Sequence, residues 1–143
     1  MKTRILTPYK QPLQVDVVLL FIRIIFGCAF IFHGWGKMQN PLHWMGEESS
    51  FPSIFQLLAA ISEFGGGIVI IVGFLTRLGA LGIGCTMFVA VCKHLFVKGD
   101  PFVSLTGESS YELALVYFSI ALLLLILGPG RFSLDEKIFG AES

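Results

Sequence analysis

Four long apolar runs, at about 16–35, 54–75, 78–97 and 111–128, constrain this chain more than any other feature. Each approaches the roughly 20 residues that an α-helix needs to cross the hydrocarbon core of a bilayer. Apolar side chains surround each run on all sides, unlike the one-sided stripe of a soluble helix. Apolar residues make up 55% of the sequence and charged ones only 14%, against about 25% charged in a soluble domain. A chain of 143 residues cannot hide that much apolar surface in one core, so lipid must cover the remainder. The expected fold class is all-α: a polytopic membrane protein, one domain over 1–143, built as a four-transmembrane-helix bundle.

Lys2, Arg4 and Lys10 precede the first run like the basic start of a signal peptide. The run continues into His33-Gly-Trp-Gly-Lys37 without a small-residue cleavage site, which reads as a retained signal-anchor helix. Four spans put both termini on one side, with Lys2, Arg4, Lys10, Arg77, Arg131 and Lys137. Lys37, Lys93 and Lys98 fall on the other. The positive-inside rule then predicts both termini in the cytoplasm. Formal net charge is zero and no basic block points to nucleic acid. Cys28, Cys85 and Cys92 all lie in apolar runs without a Cys-x-x-Cys pair, so thiol–disulfide exchange is not indicated.

The 40–53 connection carries Trp44, Met45 and Phe51, aromatic and apolar residues suited to an interfacial or re-entrant cap. Runs two and three are joined by almost nothing, which enforces an antiparallel hairpin. Glycines within the runs predict close helix–helix faces, and Gly65-Gly66-Gly67 could also loosen the second helix beside Glu63.

Ionisable residues sort by topology. His33 and Lys37, Glu63, His94 and Lys98, and Glu112 all fall toward the outer half of the bundle. Glu63 is about nine residues in, or roughly 13 Å deep. Charge at bilayer depth costs about 2.5–3.5 kcal/mol, so such residues face the bundle interior and pair. His33 is the candidate partner of Glu63, and a purely structural polar clamp is the competing reading. For Lys37, Lys98 and Glu112, near the interface, snorkelling and solvation are favoured over chemistry. His33-x-x-x-Lys37 and His94-x-x-x-Lys98, each followed by a glutamate in the next helix, resemble a duplicated hairpin. Toward the other face, Arg23, Arg77 and Arg131, with Asp16 and Asp135 nearby, are read as structural polar residues.

Together these residues resemble the DoxX family of small four-helix membrane proteins. The matching pieces are Arg23, His33-Gly34 with Lys37, Glu63 with Gly65-Gly66 and Gly73-Phe-Leu-Thr76-Arg77. Glu112-Leu-Ala and the Gly128-Pro-Gly-Arg131-Phe-Ser-Leu-Asp135 ending complete the set. The resemblance implies a multi-pass protein of the cytoplasmic (inner) membrane of a prokaryote. Some relatives are similar to the membrane subunit of thiosulfate:quinone oxidoreductases, and others are linked to soluble redox enzymes.

The leading functional expectation is a quinone-interacting subunit or partner of an oxidoreductase system. His33 and His94 could donate hydrogen bonds and relay protons, and Glu63 could shuttle one. Lys37 could stabilise an oxyanion, with Trp35 and Glu112 beside the quinone. No flavin or nicotinamide fingerprint is present, so electrons would come from a soluble or peripheral redox partner. Bis-histidine haem ligation by His33 and His94 is a minor alternative, and no other metal site is expected. A small-solute or lipid carrier, or a non-catalytic scaffold, is the reading from another class. A homo-oligomer stays open.

Overall fold

The structure, a computed structural model, describes residues 10–140. Lys2 and Arg4, counted in the orientation argument, lie outside them. Among the described residues the chain is all-helical: α1 (Leu13–Met38), α2 (Ser53–Val72), α3 (Thr76–Cys92), α4 (Glu112–Leu127) and α5 (Leu134–Phe139). A π-helical turn, Lys93–Lys98, prolongs α3. α1, α2 and α3 with its π extension are long and apolar enough to cross a membrane. α4 is also apolar but has 16 residues, about 24 Å.

Neighbouring helices run antiparallel, and small residues set how closely they meet. In α1 and α2, Gly27 faces Gly67 and Gly34 faces Phe64. A Cβ on Gly67 would lie 2.7 Å from the Gly27 carbonyl oxygen, and one on Gly34 would lie 2.7 Å from the Phe64 Cα. Only glycine lets two helix backbones approach so closely. Gly79 packs on Val69 and Ile70 between α3 and α2, and a Cβ on Gly84 would lie 3.5 Å from the Ala121 Cβ between α3 and α4. α2 is unbroken through Gly65–Gly67. The expected loosening does not occur, because Gly66 and Gly67 are occupied with packing against Ile83 and Gly27. Phe26, Phe30, Ile70, Ile83 and Leu124 fill the buried core, where Phe26 and Phe30 meet the Tyr117 ring of α4 edge-on. Outside, Phe21, Leu58, Leu78 and Ile126 remain more than half exposed, which lipid tolerates and water does not.

The sequence pattern runs α2 on to residue 75, but α2 stops at Val72. Gly73 adopts φ 74° and ends the helix, and Leu75 adopts φ 49° as the residue before α3. A left-handed leucine is strained by about 1–2 kcal/mol. It is held by Asp135, whose carboxylate accepts from the amides of Leu75 (2.7 Å) and Thr76 (3.0 Å). The first turn of α3 is therefore capped by a residue 60 positions later.

The same end of the bundle holds the arginines. Arg23 is 1% exposed. Its Nε donates to the Ile70 carbonyl and its Nη2 to that of Ile71, both at 2.8 Å. Its Nη1 donates to Pro129 (2.9 Å) and Phe132 (2.8 Å). One guanidinium thus fastens the last carbonyls of α2 to the segment after α4. Arg131 pairs with buried Asp16, Nε to Oδ2 at 2.7 Å. Arg77 reaches the Ile126 carbonyl from α3 at 3.4 Å. Ser133 N-caps α5 by accepting from the Glu136 amide, in the Ser-x-x-Glu pattern of a capping box. The C-terminal motif is a clasp across α1, α2 and α3.

Candidate functional site

At the opposite end, the close approach at Gly34 and Phe64 brings the last turn of α1 against the middle of α2. There the Lys37 ammonium pairs with Glu63 Oε1. Glu63 is completely buried, and its Oε2 has no hydrogen-bond partner among the described residues. Lys37 also stands over the Trp44 ring, 4.4 Å from its centroid, a contact that strengthens when desolvated. The sequence expectation that His33 would partner Glu63 is corrected by one helical turn. The longer, more flexible lysine reaches the carboxylate, while His33 is exposed and packs against Phe30 and Tyr117 toward α4.

The 39–52 connection folds over this pair as a series of turns. Buried Gln56 fastens it. Its Oε1 accepts from the Met45 amide (3.0 Å), its Nε2 donates to the Phe51 carbonyl (2.9 Å), and its own carbonyl accepts from the Trp44 indole (2.9 Å). The connection is thus an aromatic cap anchored by Gln56, a residue the sequence pattern does not single out. The available signal was spacing: Gln56 precedes Glu63 by seven residues, which puts both on one helix face.

A cavity of about 560 Å³ lies between α2, α3 and this cap. Phe51, Phe55, Leu58, Met87 and Val89 give it apolar walls, while Lys37, Glu63, Lys93, His94 and Lys98 supply its charged and titratable groups. The π-helical turn carries His94 to the cavity. Such turns recur at functional sites because they widen the helix and redirect its side chains. His94 Nδ1 lies 2.6 Å from Asp100 Oδ2, and the Asp100 amide donates back to the His94 carbonyl at 2.9 Å. The His94 hydrogen bond is the first reason that Asp100 sits below the usual carboxylate range; Ser109 and the positive charge of Lys98 add to it.

The cavity therefore unites Glu63, His94 and Lys37 and leaves three expected residues outside. His33 lines another face. Trp35 is exposed beside Phe64, at 5.8 Å between ring centroids. Glu112 is exposed in the first turn of α4. The two histidines of the haem alternative thus have different neighbours. No group of three or more His, Cys, Asp or Glu that could hold a metal occurs among the described residues.

Antiparallel apolar helices with a buried ion pair and a one-sided cavity define a small polytopic protein of the membrane. The DoxX family profile matches residues 18–98, from α1 to the end of the π-helical turn. The chain belongs to the DoxX family. Inner membrane protein YqjF of Escherichia coli (strain K12) is 35% identical over 130 residues, covering 86% of this chain and 93% of the relative. Inner membrane protein YphA of the same organism is 32% identical over 132 residues, covering 85% and 90%. A Haemophilus influenzae protein described as uncharacterized is 32% identical over 123 residues, covering 85% and 90%. No solved structure matches significantly. The chain is a multi-pass protein of the inner membrane.

Proposed function

We propose that this chain is a quinone-interacting component of a membrane redox system, with the quinone head group held in the cavity beside Glu63. The observation that carries this reading is a buried carboxylate, half satisfied by Lys37, on an otherwise mostly apolar cavity. Apolar walls with a few convergent polar groups suit a polar ring with an apolar tail. Leu58 and Val89 line the cavity and are about half exposed, which gives the tail a route out into lipid. Bound quinone would supply the two-electron chemistry, with electrons delivered by a soluble or peripheral partner protein. Lys37 and His94 orient the ring oxygens by hydrogen bonding, Glu63 holds or releases a proton, and the cap pinned by Gln56 keeps bulk water out.

The proposed topology has four spans with both termini in the cytoplasm, which places the cavity toward the outer leaflet. Support comes from the excess of Lys and Arg on the terminal side. It also comes from the antiparallel packing of α4 on α3, as in the Phe88–Phe118 pair. A 24 Å helix is accommodated by local thinning of the bilayer. The unbroken course of α2 favours this reading over a carrier, whose sites are typically built on discontinuous helices.

The test is mass spectrometry of the gently purified protein for co-purifying quinone, together with quinone-linked electron transfer in membranes. Glu63→Gln is expected to abolish the transfer. Unchanged transfer in that variant, or purification without quinone, would remove the reading.

A further inference from the structure

Glu63 lines the cavity, and its carboxylate oxygen Oε2 is buried with no partner among the described residues. A carboxylate oxygen paired with an ammonium on its other side can only accept a hydrogen bond. A ligand that satisfies it must bring an O–H or N–H. The two redox states of a quinone ring differ in this respect: the oxidised ring carries carbonyls, which only accept, and the reduced ring carries hydroxyls, which donate and accept.

We infer that the cavity selects the reduced, hydroxyl-bearing head group, with one ring hydroxyl donating to Glu63 Oε2. This inference rests on the quinone reading above and adds the state that the site prefers. The remaining polar groups do not reverse the preference. Lys37, which also serves Glu63 and the Trp44 ring, and His94, which also meets Asp100, can hydrogen-bond a ring oxygen of either form. Lys98 is exposed and Lys93 partly so, and both can remain hydrated. Any donor that serves a carbonyl also serves a hydroxyl oxygen, so the reduced ring loses none of these bonds and gains the one to Oε2. The oxidised ring instead sets a carbonyl lone pair against a buried carboxylate or leaves that oxygen orphaned.

A hydrogen bond to a charged acceptor that is otherwise unsatisfied is worth about ten- to a hundredfold in affinity. Tighter binding of the reduced form raises the reduction potential of the bound couple, by about 30 mV for each tenfold at two electrons. A site of this kind makes its quinone a better electron acceptor than free quinone in the same membrane. Glu63 is thus a specificity-determining residue for redox state, beyond any part it takes in moving protons.

The experiment measures binding of a short-tailed quinone to the purified full chain in nanodiscs. The oxidised form, the chemically reduced form under anaerobic conditions and the dimethyl ether of the reduced ring are titrated separately. Quenching of Trp44 fluorescence in a Trp35→Phe background reports binding. The reduced form is expected to bind at least about tenfold more tightly than the oxidised one, with the dimethyl ether, which has no O–H, as weak as the oxidised form. Glu63→Gln, whose amide both donates and accepts, is expected to bring the ratio near one. Equal affinities, tighter binding of the oxidised form, or an ether as tight as the reduced form overturns the inference while leaving quinone binding standing. The ether comparison needs no variant, so it holds even if Glu63→Gln does not fold. If none of the three binds, the quinone reading itself falls and the selectivity with it.

Discussion

Arg23→Lys keeps the charge and approximate length of the side chain but removes the fork. In the native bundle three guanidinium nitrogens serve four carbonyls in two groups: Ile70 and Ile71 at the end of α2, and Pro129 and Phe132 in the clasp. A lysine has one nitrogen with three donors, so at least one of the four carbonyls loses its bond. The two groups lie around different guanidinium nitrogens, so two losses are expected. Hydrogen bonds to charged groups contribute about 1.5–3 kcal/mol each, and a buried acceptor left orphaned costs about 1–3 kcal/mol. With partial relaxation, the loss comes to about 2–5 kcal/mol. That is a large share of the 5–15 kcal/mol typical of a native domain, yet it leaves a folded population. Arg23→Met removes all four bonds, leaving the Ile70 carbonyl only the Gly73 amide, and is expected not to fold. Reversible unfolding in mixed detergent–SDS micelles, followed by tryptophan fluorescence, measures the difference. An Arg23→Lys protein within about 0.5 kcal/mol of native would refute the reasoning, because it would show that the fork geometry adds nothing beyond a point charge.

Two glycines close in space should respond with opposite signs. Gly34→Ala drives a methyl group into the Phe64 backbone and should cost about 1–3 kcal/mol. Gly65→Ala meets nothing within 4 Å and should gain about 0.5–1 kcal/mol from helix propensity. The same micelle titration reads both, and equal shifts would argue against the Gly34–Phe64 approach. The His94–Asp100 contact carries a pH signature. Asp100 is held below its ordinary value, so its stabilisation is complete above about pH 4 and fades as acid protonates the folded-state carboxyl. Hydrogen-exchange protection of the Asp100 amide should fall in that acid range and not between pH 5 and 7. Asp100→Asn should abolish the dependence; its persistence there would assign the transition to another group.

Much of the fold was readable because bilayer thickness and helix rise leave little freedom: a run of apolar residues of that length has essentially one structure in lipid. Ends were harder. Gly73 is one glycine among 16; its left-handed backbone and the Phe74 amide bonded to the Val69 carbonyl end α2, while the Asp135 carboxylate, 60 residues beyond Leu75, caps α3 from outside any local window. The site was half readable. Depth pointed to Glu63, but its partner depended on the rotation of α1 about its axis, and Gly27 and Gly34 set that rotation by packing. Lys37 and not His33 was therefore turned inward. His94 and Lys98 looked like a repeat of His33 and Lys37. The π-helical turn gave the second pair different surroundings, since the helix is no longer α-helical there.

The clasp also imposes an order on biogenesis. Arg23 belongs to α1, but two of its four acceptors are made more than 100 residues later. Throughout insertion of α1, α2 and α3 the nascent chain carries a membrane-buried cation whose coordination shell is still being synthesised. The opening turn of α3 likewise waits for Asp135. The bundle becomes self-consistent only when the segment after α4 emerges. A product interrupted after α4 would display a guanidinium holding only its two α2 carbonyls, a mark by which membrane quality control could recognise it.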